Sequence, residues 1–485
     1  MNMKSILLLL LLLVPLVSAK PRPNVLFIVC DDLNTHVSTS GYPHIRTPAF
    51  DHLAAEGMTF RRAYCQYPVC GPSRASFLSG LYPETSGVLG NTLDISQTRP
   101  GTVTLPQAFH RQGYWTASTG KVFHNKKMDP GEGTWDAVER FSNDELPIEA
   151  EARKVFEAQY GPVGDRKNRK RWKAHHATLA PQTRGQQVGY GPSGLRDAQH
   201  ADGKNARQVK TWIEEESHGD KPFFIALGIH KPHVPYLAPD AYFERYPRDK
   251  LILAAPPAGF WEQAPHAAMV KRFEGFGFKL GVENDALSRE YMQAYHACIS
   301  FIDAQIGTVF ACLKEHGLWE NTIIVLTSDH GYQLGEHFMW GKVTLFEVCN
   351  RVPFIVRVPG MTKAGSSTEG LVELVDLYPT LAELCGVLPP DDLQGRSLLP
   401  MLKDPAVPGK AAVYTVVSRG SKLGKAVRTE RWRYARWPDG EELYDLQGDV
   451  AEHHNLARSP ERKATLEAMR SQLSRMERAA ARAGR

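Results

Sequence analysis

The 485-residue chain has no CxxC pair and no internal repeat, and beyond its first nineteen residues no apolar run is long enough to cross a bilayer. The first absence removes zinc-ribbon and thioredoxin-like readings. The second removes solenoids and propellers, and the third leaves no integral membrane segment once a leader is cleaved. Charge of one sign is also scarce: 58 basic against 53 acidic side chains give a formal net of +5, too mild an excess to indicate a nucleic-acid partner. Seven cysteines, Cys30, Cys65, Cys70, Cys298, Cys312, Cys349 and Cys385, make no disulfide scaffold in a chain this long, which can build its core without one. In an exported protein pairing is open to some of them.

What is present begins with an N-terminal leader. Met1–Ala19 has Lys4 as a charged start, an apolar run from Ile6 to Val17 and the small residues Val17-Ser18-Ala19 before the cut, the pattern of a signal peptide. The mature protein is therefore expected to be exported, to a periplasm, a lysosome or the outside. The run Arg166-Lys167-Asn168-Arg169-Lys170-Arg171-Trp172-Lys173 reads first as a solvated basic loop and second as a holder of sulfated polysaccharide.

Four stretches share one design. Asn24–Cys30 is continuously apolar and ends at Asp31-Asp32; Thr322–Thr327 ends at Ser328-Asp329-His330-Gly331; Pro222–Gly228 stops just before His230-Lys231-Pro232-His233; Tyr114–Ser118 precedes Gly120–His124. Such runs are strands covered on both faces. With helical patterns such as Ser288–Leu313 between them, they predict an α/β fold with a central, mostly parallel sheet flanked by helices. Open sheets of this kind bind ligands beyond the carboxyl ends of their strands, so the four polar endings define one site. Phe141–Arg196 is polar and weakly periodic, an insertion over that site. The main unit is expected to span residues 20–400. Residues 401–485 are expected to form a smaller subdomain: an antiparallel sheet over Ala412–Val417, Gly424–Thr429, Arg431–Trp437 and Glu442–Asp445, then a helix burying Leu466, Met469, Leu473 and Met476.

Asp31, Asp32 and Asp329 offer oxygen ligands to a hard cation, calcium or magnesium. His330 suits a transition metal better, so these residues alone leave the metal open. Cys70-Gly71-Pro72-Ser73-Arg74 puts a cysteine before a first-turn proline, with Ser79-Gly80 closing the helix. A thiol there is favoured as its anion by the helix dipole, and Arg74 adds a fixed positive charge.

The C-x-P-S-R pattern, continued by Ala75–Pro83, resembles the sulfatase family, in which this cysteine becomes a formylglycine nucleophile. The likeness covers nearly the whole mature length and is strongest to the iduronate 2-sulfatase branch, in Gly113–His124, His230–Pro235 and Asp329–His337. It implies an alkaline-phosphatase-like fold and one calcium held by Asp31, Asp32, Asp329, His330 and residue 70, with magnesium as the other hard ion. It implies catalytic roles for Cys70, Arg74, Lys121, His124, His230 and Lys342, and a maturation enzyme that makes the formylglycine. The substrate class it implies is a sulfated oligo- or polysaccharide such as a glycosaminoglycan. His233 and His337 read at least equally well as hydrogen-bonded fold residues. Tyr332 and the region Phe141–Arg196 depart from the branch at places expected to touch substrate. Two other readings are a phosphatase or phosphodiesterase of the same superfamily and a catalytically silent polysaccharide-binding protein. The cysteine with a single acid cluster weighs against the first, and the intact residue set against the second.

Overall fold

All eight residues of Asn24–Asp31 (β1) are buried. Val25, Phe27 and Val29 enter one apolar core and Leu26, Ile28 and Cys30 the other, because successive strand side chains point to opposite faces. Each such Val, Ile or Phe withdrawn from water contributes about 1.5–3 kcal/mol, so this strand is the spine between two layers. The computed structural model describes residues 22–183, 188–279 and 282–482; the signal-peptide expectation for 1–19 lies outside them.

Eight further strands complete the central sheet: Met58–Tyr64 (β2), Trp115–Gly120 (β3), Ala137–Glu139 (β4), Phe223–Pro232 (β5), Thr322–Ser328 (β6), Arg351–Val352 (β7), Phe354–Arg357 (β8) and Ser366–Glu373 (β9). Their order is β7-β2-β8-β6-β1-β5-β3-β4, with β9 pairing β2. The four strands read from sequence, β6, β1, β5 and β3, are consecutive neighbours and mutually parallel. All four therefore end at one edge. Sequence reading passed over β2, β4, β7, β8 and β9, which are short or carry polar residues; β7 and β8 pair antiparallel with their neighbours.

Helices cover both faces. Pro48–Glu56 (α1), Ala201–Glu214 (α6) and Asp285–Glu315 (α7) pack on the even face of β1. Cys70–Ser79 (α2), Leu105–Arg111 (α3) and Leu377–Cys385 (α8) pack on the odd face. Helix α7, predicted at 288–313, is the described helix long and apolar enough to cross a membrane, yet 78% of its apolar window is buried inside the protein. It is a core helix.

The insertion is more regular than its composition predicted. It folds into Pro147–Tyr160 (α4) and Arg166–His176 (α5), so the basic run lies on a helix and not in a loop. The expected C-terminal sheet forms as Val413–Arg419 (β10), Lys422–Arg428 (β11), Trp432–Trp437 (β12) and Gly440–Asp445 (β13), in chain order. Helix Lys463–Arg482 (α9) buries Leu466, Met469 and Leu473 against it, with Met476 partly buried. This subdomain also encloses Tyr67 and Val69, and Val416 and Thr415 hydrogen-bond the carbonyls of Gln66 and Cys65. It thus buttresses the chain entering α2. All seven cysteines are free and buried, as a chain that builds its core without disulfides allows.

Candidate active site

The carboxyl edge of β6-β1-β5-β3 gathers the expected residues. A regular strand would send Asp31 and Asp32 to opposite faces. Here the β1–β5 register breaks between Val29 and Asp31, and Asp32 turns to φ 66°, a left-handed conformation that aspartate tolerates better than most residues. Both carboxylates then reach one centre. Ligand atoms of Asp31, Asp32, Cys70 and His330, all buried, lie within 4.8 Å of one another. Asp31 Oδ1 and Asp32 Oδ2 are buried without a hydrogen-bond partner. Two such oxygens, aimed inward beside an imidazole, suit a divalent cation.

Asp329 stands beside this group and organises it. Its Oδ1 accepts the backbone N–H groups of Asp32 (3.1 Å) and His330 (3.0 Å), and its Oδ2 accepts Arg74 Nε at 2.9 Å. Burial pushes its carboxyl up, against the pull of His330 and Arg74. Arg74 is fully buried and also donates to the carbonyls of Lys121, Val122 and Cys30. It fastens α2 to the ends of β1, β3 and β6.

Cys70 is the first residue of α2, after Val69 as N-cap. Gly80, at φ 70°, ends the helix as expected. The Cys70 sulfur lies 3.0 Å from Lys342 Nζ, 3.4 Å from His330 Nε2 and 3.8 Å from Asp32 Oδ1. Burial opposes ionisation of this thiol, but Lys342, Lys121 and His330 outweigh it and hold the group well below the ordinary thiol value. Side-chain cations make this position anion-stabilising. Lys342 Nζ donates to Asp32 Oδ1 and Lys121 Nζ to Asp31 Oδ2. His124 is within hydrogen-bonding reach of Cys70, and its buried Nδ1 has no partner.

His230, at the end of β5, is 3.0 Å from Asp202 through Nδ1. Asp202 also accepts the backbone N–H of His230 and of Lys231. Burial works to raise the Asp202 carboxyl, but its hydrogen bond to His230 and the charge there hold it below the usual range. Nothing in the sequence marked Asp202, because an acid in a first helical turn reads as a dipole-satisfying residue.

A cavity of about 490 Å³ opens on this edge, walled by Lys121, His124, His230, Lys231 and His233. Lys126, Arg140 and Asn143 stand among its outer residues. His233 belongs to the site: Nε2 is 3.9 Å from Asp32 Oδ2, and these acids raise its proton affinity against burial. His337 does not. It is buried, stacked on Phe346 at 3.8 Å, and pairs with the Ala451 carbonyl and Gln333. Tyr332, expected near substrate, is instead 2% exposed and packed against Tyr236 and Tyr295. A second group of metal-competent side chains among the described residues, Glu214, Cys312 and His316, shares no residue with this site.

A family model described as Sulfatase matches residues 23–387. The chain belongs to the sulfatase family. A model described as N-sulphoglucosamine sulphohydrolase, C-terminal, matches residues 335–479 of this sulfatase. A sulfatase of Formosa agariphila is 32% identical to it, covering 93% of this chain and 86% of the relative. Iduronate 2-sulfatase of Mus musculus is also 32% identical, covering 77% of this chain and 70% of its own length. The solved phosphonate monoester hydrolase of Agrobacterium radiobacter has the same fold at a TM-score of 0.74 and 22% identity, over 95% of this sulfatase and 96% of that chain. Sulfate-ester hydrolysis by a sulfuric ester hydrolase is the activity this membership supports, and the buried Asp/Cys/His group is one that can bind the family's metal.

Proposed function

We propose that the protein hydrolyses a sulfate ester of a sulfated glycan, with a 2-O-sulfated uronic acid as leading substrate. In this reading Cys70 is converted to formylglycine by a maturation enzyme, and Asp31, Asp32, Asp329, His330 and residue 70 hold one calcium ion. The observation that carries it is the position of Cys70: buried at a helix start, between Lys342 and His330 and against the carboxylate of Asp32. Replacing that sulfur by an oxygen function makes the ligand set four oxygen donors and one imidazole, which moves it toward calcium or magnesium.

Formylglycine would supply a nucleophilic hydroxyl in its hydrated form, and a cation held by Asp31, Asp32, Asp329 and His330 would supply Lewis-acid polarisation of that hydroxyl and of the sulfate oxygens. Lys121 and Lys342 are positioned to bind the sulfate and to gain as charge accumulates on its oxygens. His230, held by Asp202, faces the cavity as the acid that protonates the leaving sugar oxygen. His124 is placed to take the proton from residue 70, its unpartnered Nδ1 leaving room for a relay. Arg74 keeps α2 and Asp329 in register. Lys231, by contrast, spends its donors on the carbonyls of His233 and Pro235. The cations available to a substrate carboxylate are Lys126 and Arg140 at the rim, the latter shared with Asp129. Export belongs to the same proposal and rests on Met1–Ala19.

The test compares sulfate release from matched disaccharides with the ester on uronate C2, on hexosamine C6 or on a neutral sugar. Preference for the uronate ester is expected; preference for a neutral sugar would reject the uronate assignment. Peptide mass spectrometry should find the aldehyde or its hydrate at position 70. Chelation should lower both activity and melting temperature, with calcium restoring them. Full activity with unmodified Cys70 would overturn the mechanism.

A further inference from the structure

We propose that α5 is an anchoring surface for the sulfated polysaccharide chain that flanks the sugar being hydrolysed; this rests on the sulfated-glycan reading above. Arg166, Lys167, Arg169, Lys170, Arg171 and Lys173 are all exposed. None forms an ion pair among the described residues, although cations of neighbouring elements do: Arg140 with Asp129, Arg153 with Glu145, Lys204 with Asp144. At 100° per residue the six occupy an arc of about 200° over a length of roughly 10 Å. The remaining arc faces the hairpin. Asn168 donates to the carbonyls of Tyr160, Gly161 and Pro162, and Trp172 packs on Phe156 at 5.2 Å.

This helix works against itself. Arg166–Lys170, Lys167–Arg171, Arg169–Lys173, Arg166–Arg169, Lys167–Lys170 and Lys170–Lys173 are like charges three or four residues apart, each costing about 0.2–0.5 kcal/mol. Arg166 and Lys167 also oppose the dipole at the helix start. An external polyanion relieves both, and counterion release favours its binding.

Its position selects the partner. The insertion opens with Phe141, Ser142 and Asn143 in the wall of the cavity and continues into α4. Glu149 of α4 is 2.7 Å from His176 at the end of α5. Thr183 hydrogen-bonds the His176 carbonyl and Gln182 that of Pro192. Tyr190–Pro192 pairs in turn with Tyr236–Ala238, directly after the cavity residues His233–Pro235. One end of the hairpin leaves the cavity wall at Asn143 and the other is tied to the strand that follows His233–Pro235, so α5 belongs to an element flanking the cavity, where the proposal places a chain leaving it. A nucleic acid satisfies the charge but not this placement.

The experiment uses the full-length protein and its Lys167→Ala/Lys170→Ala/Lys173→Ala variant, alanine being the stronger helix former. Dextran sulfate is the binding probe, neutral dextran the control and duplex DNA the competitor. The variant is expected to bind dextran sulfate about tenfold more weakly, with a flatter salt dependence, and to lose a similar factor in kcat/KM on a sulfated polysaccharide. Hydrolysis of a sulfated disaccharide should be unchanged. Equal binding by both proteins, equal loss on polymer and disaccharide, or displacement of dextran sulfate by duplex DNA at equal charge concentration would overturn the proposal. If the wild type cleaves no sulfated sugar, the catalytic reading fails while the binding comparison still reports on α5.

Discussion

Asp202→Asn removes the negative charge behind His230. Asp202 takes the backbone N–H of His230 on one oxygen and that of Lys231 on the other; the amide has the same shape but only one acceptor oxygen, so it keeps one of these bonds, loses the other and no longer compensates a protonated imidazole. On a sugar sulfate, whose leaving oxygen needs a proton, kcat should fall about a hundredfold. On nitrophenyl sulfate, whose leaving group is already stable as an anion, the loss should be small. Similar losses on both substrates would show that Asp202 acts on folding or sulfate binding instead. Arg74 obeys a different rule. Its guanidinium meets Asp329 and three carbonyls, two just after β3 and one on β1, a fan of donors that lysine lacks, so Arg74→Lys should destabilise the protein despite equal charge.

The ends of β3 and β5 touch at two glycines, and that contact places Lys121 within reach of Asp31. Gly120 has φ +72°, and a Cβ on it would lie 1.9 Å from the Gly228 carbonyl oxygen. Lys121 donates its backbone N–H to that same carbonyl at 2.9 Å. Gly120→Ala should therefore cost about 3 kcal/mol or more, read as a lower denaturation midpoint. Gly133 is the control: φ is +75° and a Cβ there would meet nothing within 4 Å, so Gly133→Ala should cost about 1–2 kcal/mol, the backbone term alone. Equal costs at the two positions would remove the argument that close packing of strand ends sets this edge.

His337 links the main sheet to the C-terminal subdomain, donating toward the Ala451 carbonyl and stacking on Phe346. Burial holds it down to about 3, with Arg433 adding to the effect and the Ala451 bond opposing it. The unfolded chain binds this proton near pH 6.5 and the folded chain does not. Its contribution is thus complete above about pH 6.5 and fades as pH falls toward 3, by about 1.4 kcal/mol per pH unit. A His337→Gln variant removes that one linkage. The stability gap between wild type and variant should be widest at pH 7 and narrow steadily by pH 5, measured by denaturant unfolding. A gap that stays constant over this range would mean that folding does not shift the proton affinity of His337.

Two physical signals were legible without coordinates. Continuous apolar runs announced strands buried on both faces, and the polar residues closing them, Asp31, Asp32, Lys121, His230 and Asp329, stand at one edge because β6, β1, β5 and β3 are adjacent and parallel. The Cys70–Arg74 pattern announced a helix start and a nucleophile position. What the sequence could not show depends on contacts between residues far apart in the chain. Asp202 serves His230 across 28 positions. His233 comes beside Asp32, while His337 is carried away to Ala451 and Tyr332 into an aromatic core. A histidine or tyrosine has the same local preferences in each setting, so only packing assigns its neighbours. The same holds for the strands missed, whose short or polar sequences become sheet only when a neighbour supplies the ladder. Local patterns determined which segments are buried and which residues end them; tertiary packing decided which of those ends meet.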